Sequence, residues 1–378
     1  MKFTALHADI APAVSLAARI VPSRAYRPVL SAVRIYADGD GVAVSATDME
    51  TSRVCTLPAT VRESGCAVIP ARHLSELLRR IPGGEIDCSL NEYNLVLGWG
   101  SSRHVLHGFD QADFPAIAAQ PDPAATLPAH ALRHAIEHVT FAAADGDTAR
   151  ALLTGVELRI AADALFALAT DGFQVASYCS QPGAERPEES IVVPALALSE
   201  LARSLGDTDA PVEIGYDGRM IHFRCGSNRL STRLLEGKYF AVLELVPKEF
   251  PSRIVVRRES FAEAVRRVGL VTEGEAPHAV TLRGEGQAIE LQATASDVGV
   301  ADEQMSADVD GPEVRVSFNA RQLAAGLAHF HADTVTLEIS GRNTLARMTD
   351  GDGRLQFLQM PLQMPEGAQA EGPVQRRG

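Results

Sequence analysis

One pattern occurs three times in the chain, and it limits the possible folds more than any other feature. Leu30–Val54 reads LSAVRIYADGDGVAVSATDMETSRV, Leu153–Ser177 reads LTGVELRIAADALFALATDGFQVAS, and Ala279–Glu303 reads AVTLRGEGQAIELQATASDVGVADE. Each is a β-rich run, a polar turn, a second run, a Thr-Asp or Ser-Asp pair and a third run. The landmarks Thr47-Asp48, Thr170-Asp171 and Ser296-Asp297 stand 123 and 126 residues apart. A second landmark keeps step: Pro70-Ala71, Pro194-Ala195 and Asn319-Ala320 follow strand-like runs at intervals of 124 and 125 residues. Each opens a helix with an apolar stripe at i, i+3, i+4, i+7: Leu74/Leu77/Leu78/Ile81, Leu198/Leu201/Ala202/Leu205 and Leu323/Gly326/Leu327/Phe330. An earlier helix opens each repeat with the same spacing: Ile10/Ala13/Val14/Ala17, Leu132/Ala135/Ile136/Val139 and Phe261/Ala264/Val265/Val268. Three pattern types in register at one period indicate three copies of one unit.

Two helices and roughly eight short strands per copy predict an α+β fold, three similar domains with helices packed on antiparallel sheets. The expected domains are 1–120, 121–248 and 249–365, with Pro-rich boundaries near Asp113–Leu127 and Pro247–Pro251. Residues 366–378 lack periodicity and read as a disordered tail. The helices are expected over 8–22, 71–81, 129–143, 195–205, 259–272 and 320–330.

Charge is distributed unevenly over this plan. The chain has 35 basic and 48 acidic residues, a net charge of -13, which argues against a surface that is uniformly attractive to nucleic acid. The six helix windows nevertheless hold nine arginines (Arg19, Arg72, Arg79, Arg80, Arg133, Arg203, Arg266, Arg267 and Arg321) against six acids. Arg24, Arg27 and Arg150 lie just beyond the helices that open the first two repeats. The pattern predicts a helical surface turned toward a polyanion and a strand-rich exterior turned away from it. Five scattered cysteines without a Cys-x-x-Cys fit a reducing cytoplasm. No signal peptide is evident, and no apolar run approaches the ~20 residues of a membrane span.

Catalytic motifs are weak. His134-Ala135-Ile136-Glu137-His138 matches the inverted zinc-protease pattern, but no third ligand stands out and the other repeats carry no counterpart. Dinucleotide, Walker and nucleophile-elbow motifs are missing from the sequence. Asp38–Gly41 and Asp350–Gly353 read as hairpin turns, and Asp171-Gly172 offers too few carboxylates for a metal loop. No cofactor is expected and the chain is read as a non-enzyme.

From Phe3 to Met364 the sequence resembles the bacterial sliding clamps, the β subunits of DNA polymerase III. RPVLSAVRIYADGDGVAVSATDME (27–50), LLTGVELRIAADALFALATDG (152–172), STRLLEGKYF (231–240) and MPLQMP (360–365) carry the resemblance. It implies three similar domains forming half of a closed ring, a head-to-tail homodimer, and helices lining a hole for double-stranded DNA. It assigns Arg24, Arg72 and Arg150 to DNA contact, and the helical arginines Arg79, Arg133, Arg266 and Arg267 join them on the charge argument. Ala151, Leu152, Ala195 and Leu196 stand where other members carry tyrosines or basic residues, which implies weaker DNA contact.

The family's partner pocket, which takes hydrophobic peptides from the polymerase III alpha subunit, the clamp loader and repair polymerases, resembles Leu153, Thr170, Gly172, Phe173, Gln174, Val175, Phe240, Leu245, Met360, Pro361, Leu362 and Met364. Phe240, Glu244 and Gln363 depart from the family's usual proline and basic residues, so a shifted peptide preference is expected. His104 and Leu106 on an edge strand, with Leu270 and Val271 at a helix end, resemble the subunit interface; His104 replaces a frequent aromatic, which implies a looser or pH-sensitive closure. The competing readings are a diverged paralogue or scaffold with altered partner or inhibitor specificity and weak DNA encirclement, and a zinc hydrolase built on His134 and His138.

Overall fold

The computed structural model describes residues 1–363 except Asp40, Gln120, Asp147, Ala149, 162–163, 183–188 and Glu275. The expected tail and Met364 lie outside the described residues.

The first repeat runs β1 (Lys2–Leu6), α1 (His7–Ala18), β2 (Ala32–Asp38), β3 (Gly41–Thr47), β4 (Thr51–Leu57), β5 (Thr60–Glu63), β6 (Gly65–Pro70), α2 (Ala71–Arg80), β7 (Glu85–Asn91), β8 (Asn94–Trp99) and β9 (Ser102–His107). The second runs β10 (Ala125–Pro128), α3 (Ala129–Glu137), β11 (Gly155–Ile160), β12 (Leu165–Thr170), β13 (Gln174–Cys179), β14 (Ile191–Pro194), α4 (Ala195–Ala202), β15 (Pro211–Tyr216), β16 (Met220–Cys225) and β17 (Asn228–Arg233). The third runs β18 (Ser252–Arg257), α5 (Arg258–Gly269), β19 (Ala279–Glu285), β20 (Ala288–Ala295), β21 (Gly299–Ser306), β22 (Asp308–Asp310), β23 (Val314–Asn319), α6 (Ala320–Leu327), β24 (Thr334–Ile339), β25 (Ala346–Thr349) and β26 (Leu355–Gln359). The element order is the same in all three, apart from a strand between β13 and β14 that is not seen among the described residues.

Both apolar stripes of each repeat are buried, except for the half-buried Leu77. Ile10, Leu74, Leu132, Leu198, Phe261 and Leu323 are all 0% exposed. Gly326 occupies a stripe position because a Cβ there would meet the Phe357 ring at 2.5 Å. The helices end earlier than the periodicity predicts: α3 stops at Glu137 and Thr140–Ala142 forms a separate 3-10 turn. Periodicity marks the buried face, and that face continues through Val139 and Ala142 after the helical hydrogen bonding has ceased. Arg19 therefore sits at the C-cap of α1 and Arg203 just past α4. The third Ser-Asp landmark also moves. Thr294 pairs across the hairpin with Val300, so Ser296 and Asp297 lie in the turn itself and Thr294 is the true counterpart of Thr170, which pairs with Val175.

Contacts gather the chain into two compact bodies, Met1–Arg133 with Leu196–Leu234, and His134–Ala195 with Leu235–Gly378. Compactness follows the sheets, and the sheets run across repeat boundaries. In the first body the order β10-β15-β16-β17-β4-β3-β2-β6 joins the second repeat to the first through the antiparallel pair β17–β4. In the second body β14-β11-β12-β13-β26-β25-β24-β18-β22 joins the second repeat to the third through β13–β26. Each body also holds a small sheet, β5-β1-β7-β8-β9 in the first and β21-β20-β19-β23 in the second. No helix among the described residues is long and apolar enough to cross a membrane.

The second body contains a histidine cluster. His138 lies 6.1 Å from His134, 6.3 Å from His329 and 5.4 Å from His331 between ring centroids, and Phe141 stacks on His329 at 4.2 Å. Burial, then the neighbouring His138 and His331, lower the His329 pKa to about 4 from 6.5, with Glu137 opposing. Burial likewise lowers that of His138. The unfolded chain then binds more protons below its own pKa, so stability is level at neutral pH and falls as pH drops from 6.5 toward about 4. Thermal unfolding between pH 7.5 and 4.5 should show that fall. His329→Phe, which keeps a ring against Phe141, should flatten it; an equally steep fall in the variant would rule out His329 as a source.

Candidate functional site

The Thr-Asp turn of the second repeat builds the most elaborate polar structure on the second body's seam. The Thr170 hydroxyl donates to the Gln174 carbonyl at 2.6 Å and accepts from the Gly172 N–H at 3.0 Å. Asp171 Oδ1 accepts from the Phe173 and Gln174 N–H groups at 2.8 and 2.9 Å. Its Oδ2 accepts from the amides of Gln174 and Gln322, both at 3.0 Å, which ties the turn to α6. Gly172 has φ +95 with nothing within 4 Å of a built Cβ, so backbone conformation, not space, asks for glycine. The turn holds Phe173 outward, 67% exposed.

Below the turn, Tyr239 locks the floor. Its hydroxyl donates to the Gly155 carbonyl at 2.9 Å and accepts from the Thr170 N–H at 3.2 Å, and burial pushes the phenol pKa up. Tyr239 belongs to a buried cluster with Phe166, Leu168, Val175, Val192 and Leu358, on which Leu152, Leu235, Val242, Leu243 and Val246 pack half-buried. Phe240 meets Tyr239 edge-on at 5.8 Å. The chain end crosses this seam: the Met360 N–H donates to the Phe173 carbonyl at 2.8 Å and the Leu362 N–H to the Ser317 carbonyl at 2.7 Å. Pro361 is buried, while Leu245 is 71% and Met360 38% exposed. Exposed large apolar side chains above an apolar floor form a surface able to take hydrophobic anchors.

The structure thus gathers Thr170, Gly172, Phe173, Gln174, Val175, Phe240, Met360, Pro361 and Leu362 around one seam. Leu153 is buried in the turn Ala151–Thr154, and its neighbour Leu152 is the residue that packs on the cluster. Sequence reasoning missed Asp171, Asn319, Gln322 and Gln359 as a set. The Gln359 amide donates to the Asn319 carbonyl at 3.1 Å and to Gln322 Oε1 at 3.4 Å. The side-chain oxygens of Gln174 and Gln359 are buried without a hydrogen-bond partner. The recurrence of Thr-Asp was the available signal for Asp171; nothing local marks the glutamines.

The basic residues fall into two groups. Arg24, Arg72, Arg79, Arg150 and Arg266 are exposed, with Arg72 3.5 Å from Glu76 one turn on. Arg133 is half-buried on α3. Arg267, expected among them, is engaged elsewhere: its guanidinium donates to both carboxylate oxygens of Glu303, at 2.6 and 3.1 Å, and to Glu263 at 3.4 Å. Its position on α5 puts it within reach of β21, so much of its charge is met locally.

Two of the edge strands carry the residues expected at the subunit interface or lie beside them. β9 ends the small sheet of the first body, with His104 exposed and stacked on Trp99 at 4.8 Å. β21 ends the small sheet of the second body, and Leu270, 59% exposed, caps α5 in the same body with Val271 beside it. For the hydrolase reading, His138 Nδ1 is bonded to the His134 carbonyl at 2.6 Å, and no group of three or more His, Cys, Asp or Glu among the described residues is placed to hold a metal ion.

Comparison with known proteins follows the repeat. The profiles of the DNA polymerase III beta subunit match in order: the N-terminal domain over residues 1–118, the central domain over 126–240 and the C-terminal domain over 243–363. The "Beta sliding clamp" of Streptomyces coelicolor is 31% identical over 372 residues, 94% of this chain and 97% of that protein. That of Synechococcus elongatus is 28% identical, covering 96% and 100%. Among solved structures, the DNA polymerase III subunit beta from Pseudomonas aeruginosa superposes with a TM-score of 0.89 at 25% identity, covering 96% of this chain and 100% of that one. The DNA polymerase sliding clamp from Bacillus subtilis has the same fold, TM-score 0.90 at 23% identity over 97% and 100%. Three consecutive domain matches spanning the threefold repeat leave one assignment: the chain belongs to the DNA polymerase III beta subunit family.

Proposed function

We propose that this chain is a processivity clamp: two copies close head to tail into a ring around duplex DNA, and the surface at the second seam tethers the polymerase and other partners. The observation that carries the reading is the recurrence of one seam. β4 of the first repeat pairs with β17, the last strand of the second; β13, the equivalent of β4, pairs with β26, the last strand of the third. The unused members of the same pair are β9, a last strand, and β21, a β4 equivalent. A chain with complementary unlike edges makes a heterologous contact, and such contacts form rings when the rotation closes.

The observed seams also suggest a register. Ser52 opposes Ser231 and Val175 opposes Leu358, where Ser52, Val175 and Val300 are the cross-strand partners of Thr47, Thr170 and Thr294. The two-residue hairpins that pair Cys225 with Asn228 and Trp99 with Ser102 align β17 with β9. Carried over, Val105 faces the partner's Val300 and Arg103 faces the partner's Asp302. Leu106 and Leu270 then add apolar area beside the pairing, and the register supplies opposite charges. Direct cross-strand charge pairs contribute roughly 0.2–1 kcal/mol, and like charges oppose pairing.

No base reading is required of such a ring. Arg24, Arg72, Arg79, Arg133, Arg150 and Arg266 supply non-specific phosphate attraction, while topology retains the DNA. In this reading the chain is a non-enzyme acting in the cytoplasm, and its partners present peptides with hydrophobic anchors. The full-length match to all three domains favours a clamp over a scaffold that no longer encircles DNA.

After loading, the protein should stay on nicked circular DNA and leave once the circle is linearised; equal loss from both forms would refute encirclement. Deleting Met360–Gly378 should abolish binding of an anchor peptide while sedimentation still shows a dimer. Dimer loss on that truncation would show the pocket and interface to be misplaced. Arg103→Glu and Asp302→Arg should each shift sedimentation to monomer, and the pair R103E/D302R should recover the dimer. No recovery would overturn the register.

A further inference from the structure

The first seam carries a charged cluster that the fold does not need. Arg53 on β4 is 1% exposed, and its Nη2 donates to the Glu200 carbonyl on α4 at 2.9 Å. Arg203 Nη1 pairs with Glu200 Oε1, and Arg19 Nη1 approaches Oε2 to 3.8 Å. Three guanidinium groups thus gather at Glu200, two at its carboxylate and one at its main-chain carbonyl, three positive charges beside one negative. The network is incomplete: the Arg53 Nε donor and Glu200 Oε2 are buried without hydrogen-bond partners. Arg19 and Arg203 stay open to solvent, with 45% and 62% of their side chains exposed.

The threefold repeat supplies an internal control. At the second seam the position of Arg53 is held by Ala176, which is 0% exposed, and those of Glu200, Arg203 and Arg19 by Ala325, Ala328 and Phe141. The same strand and helices pack there without one charge. Burying a guanidinium is costly, and apolar replacements of buried ion pairs are often neutral or stabilising. The charge at the first seam therefore calls for a ligand, and the ligand chemistry it fits is an anion met by several fork-shaped donors at once, as phosphate is.

We infer that Arg19, Arg203 and Arg53 form a seat for a backbone phosphate of the encircled duplex, with Glu200 spacing the guanidinium groups; this rests on the clamp reading above. Arg19 and Arg203 touch the phosphate from the surface. Arg53 is a positioning residue that holds the Glu200 backbone and adds charge beneath it. No base is read, as a sliding contact requires.

The test measures binding of the full-length dimer to a duplex fragment by fluorescence anisotropy from 50 to 200 mM NaCl, beside retention of each protein on nicked circular DNA. Each phosphate contact contributes about 0.9 to the slope of log K against log salt. Arg19→Gln with Arg203→Gln, both surface changes, should reduce the slope by about 0.9, the share of one phosphate, and weaken binding several-fold at 50 mM. Arg53→Met should keep the thermal midpoint and lower the slope by less than the double variant does, because it acts on the same phosphate from beneath. An unchanged slope in the double variant, with wild type retained on circles, overturns the phosphate seat and leaves the ring intact. Wild type lost from circles and linear DNA alike removes the ring reading itself. A lowered midpoint in Arg53→Met with an unchanged slope makes Arg53 a packing residue and removes it from the seat. Should Arg53→Met fail to fold, the double variant alone decides.

Discussion

Backbone pairing at the ends of the repeats is the interaction on which the rest depends. Each repeat leaves a last strand and a β4-type strand with unpaired N–H and C=O groups, and exposed edges of that kind must be paired, covered or blunted. Inside the chain they are paired, β17 on β4 and β13 on β26, so two repeats share one sheet. Main-chain hydrogen bonds place few demands on residue identity. Ser52 opposite Ser231 serves one seam, Val175 opposite Leu358 the other. This explains how a chain only 23% identical to a solved clamp keeps the fold at a TM-score of 0.90.

Because the backbone makes the seam, the side chains around it are free to specialise, and they have. The Thr-Asp turn is built alike at both: the Thr47 hydroxyl donates to the Thr51 carbonyl at 2.9 Å, and Asp48 Oδ1 accepts from the Glu50 and Thr51 N–H groups at 2.9 and 2.6 Å. Even the left-handed residue recurs, Met49 at φ 85 where Gly172 has φ 95. The surroundings diverge. At the second seam Asp171 finds Gln322, and Tyr239 supports an apolar floor; at the first, α4 brings Glu200 over Arg53 instead. One scaffold thus offers an apolar amide-rimmed surface in one place and a guanidinium cluster in another.

What was legible in the sequence follows the same division. Periodicity exposed the six helices, because burial of Ile10, Leu132 or Phe261 against a sheet leaves a 3.6-residue trace. Helix ends were not legible at α3, where the apolar run outlasts the hydrogen-bond pattern. The third Ser-Asp landmark misled by two residues, since the β20–β21 hairpin is one residue longer than its counterparts and local composition does not report pairing. Sequence resemblance pointed to the turn residues Thr170 to Val175 and to the chain end from Met360, which the structure brings to one seam. The polar rim of Asn319, Gln322 and Gln359 depends on a contact between β26, α6 and the Asp171 turn, more than 150 residues apart in sequence for Gln322, and leaves no local mark. The pairing of Arg267, expected among the DNA-contacting arginines, left no mark for the same reason: Glu303 lies 36 residues away.

The net charge of -13 is consistent with this division and does not oppose DNA binding. Over the ~8 Å Debye length at physiological ionic strength, a phosphate responds to the guanidinium groups beside it and not to carboxylates across the molecule. A net positive chain would bind duplex from any side, and a ring held by its outer face cannot slide. In the proposed register, Asp302 on β21 complements Arg103 on the opposite kind of edge. A negative total is therefore compatible with the proposed non-specific DNA ring, provided that the cations face the duplex.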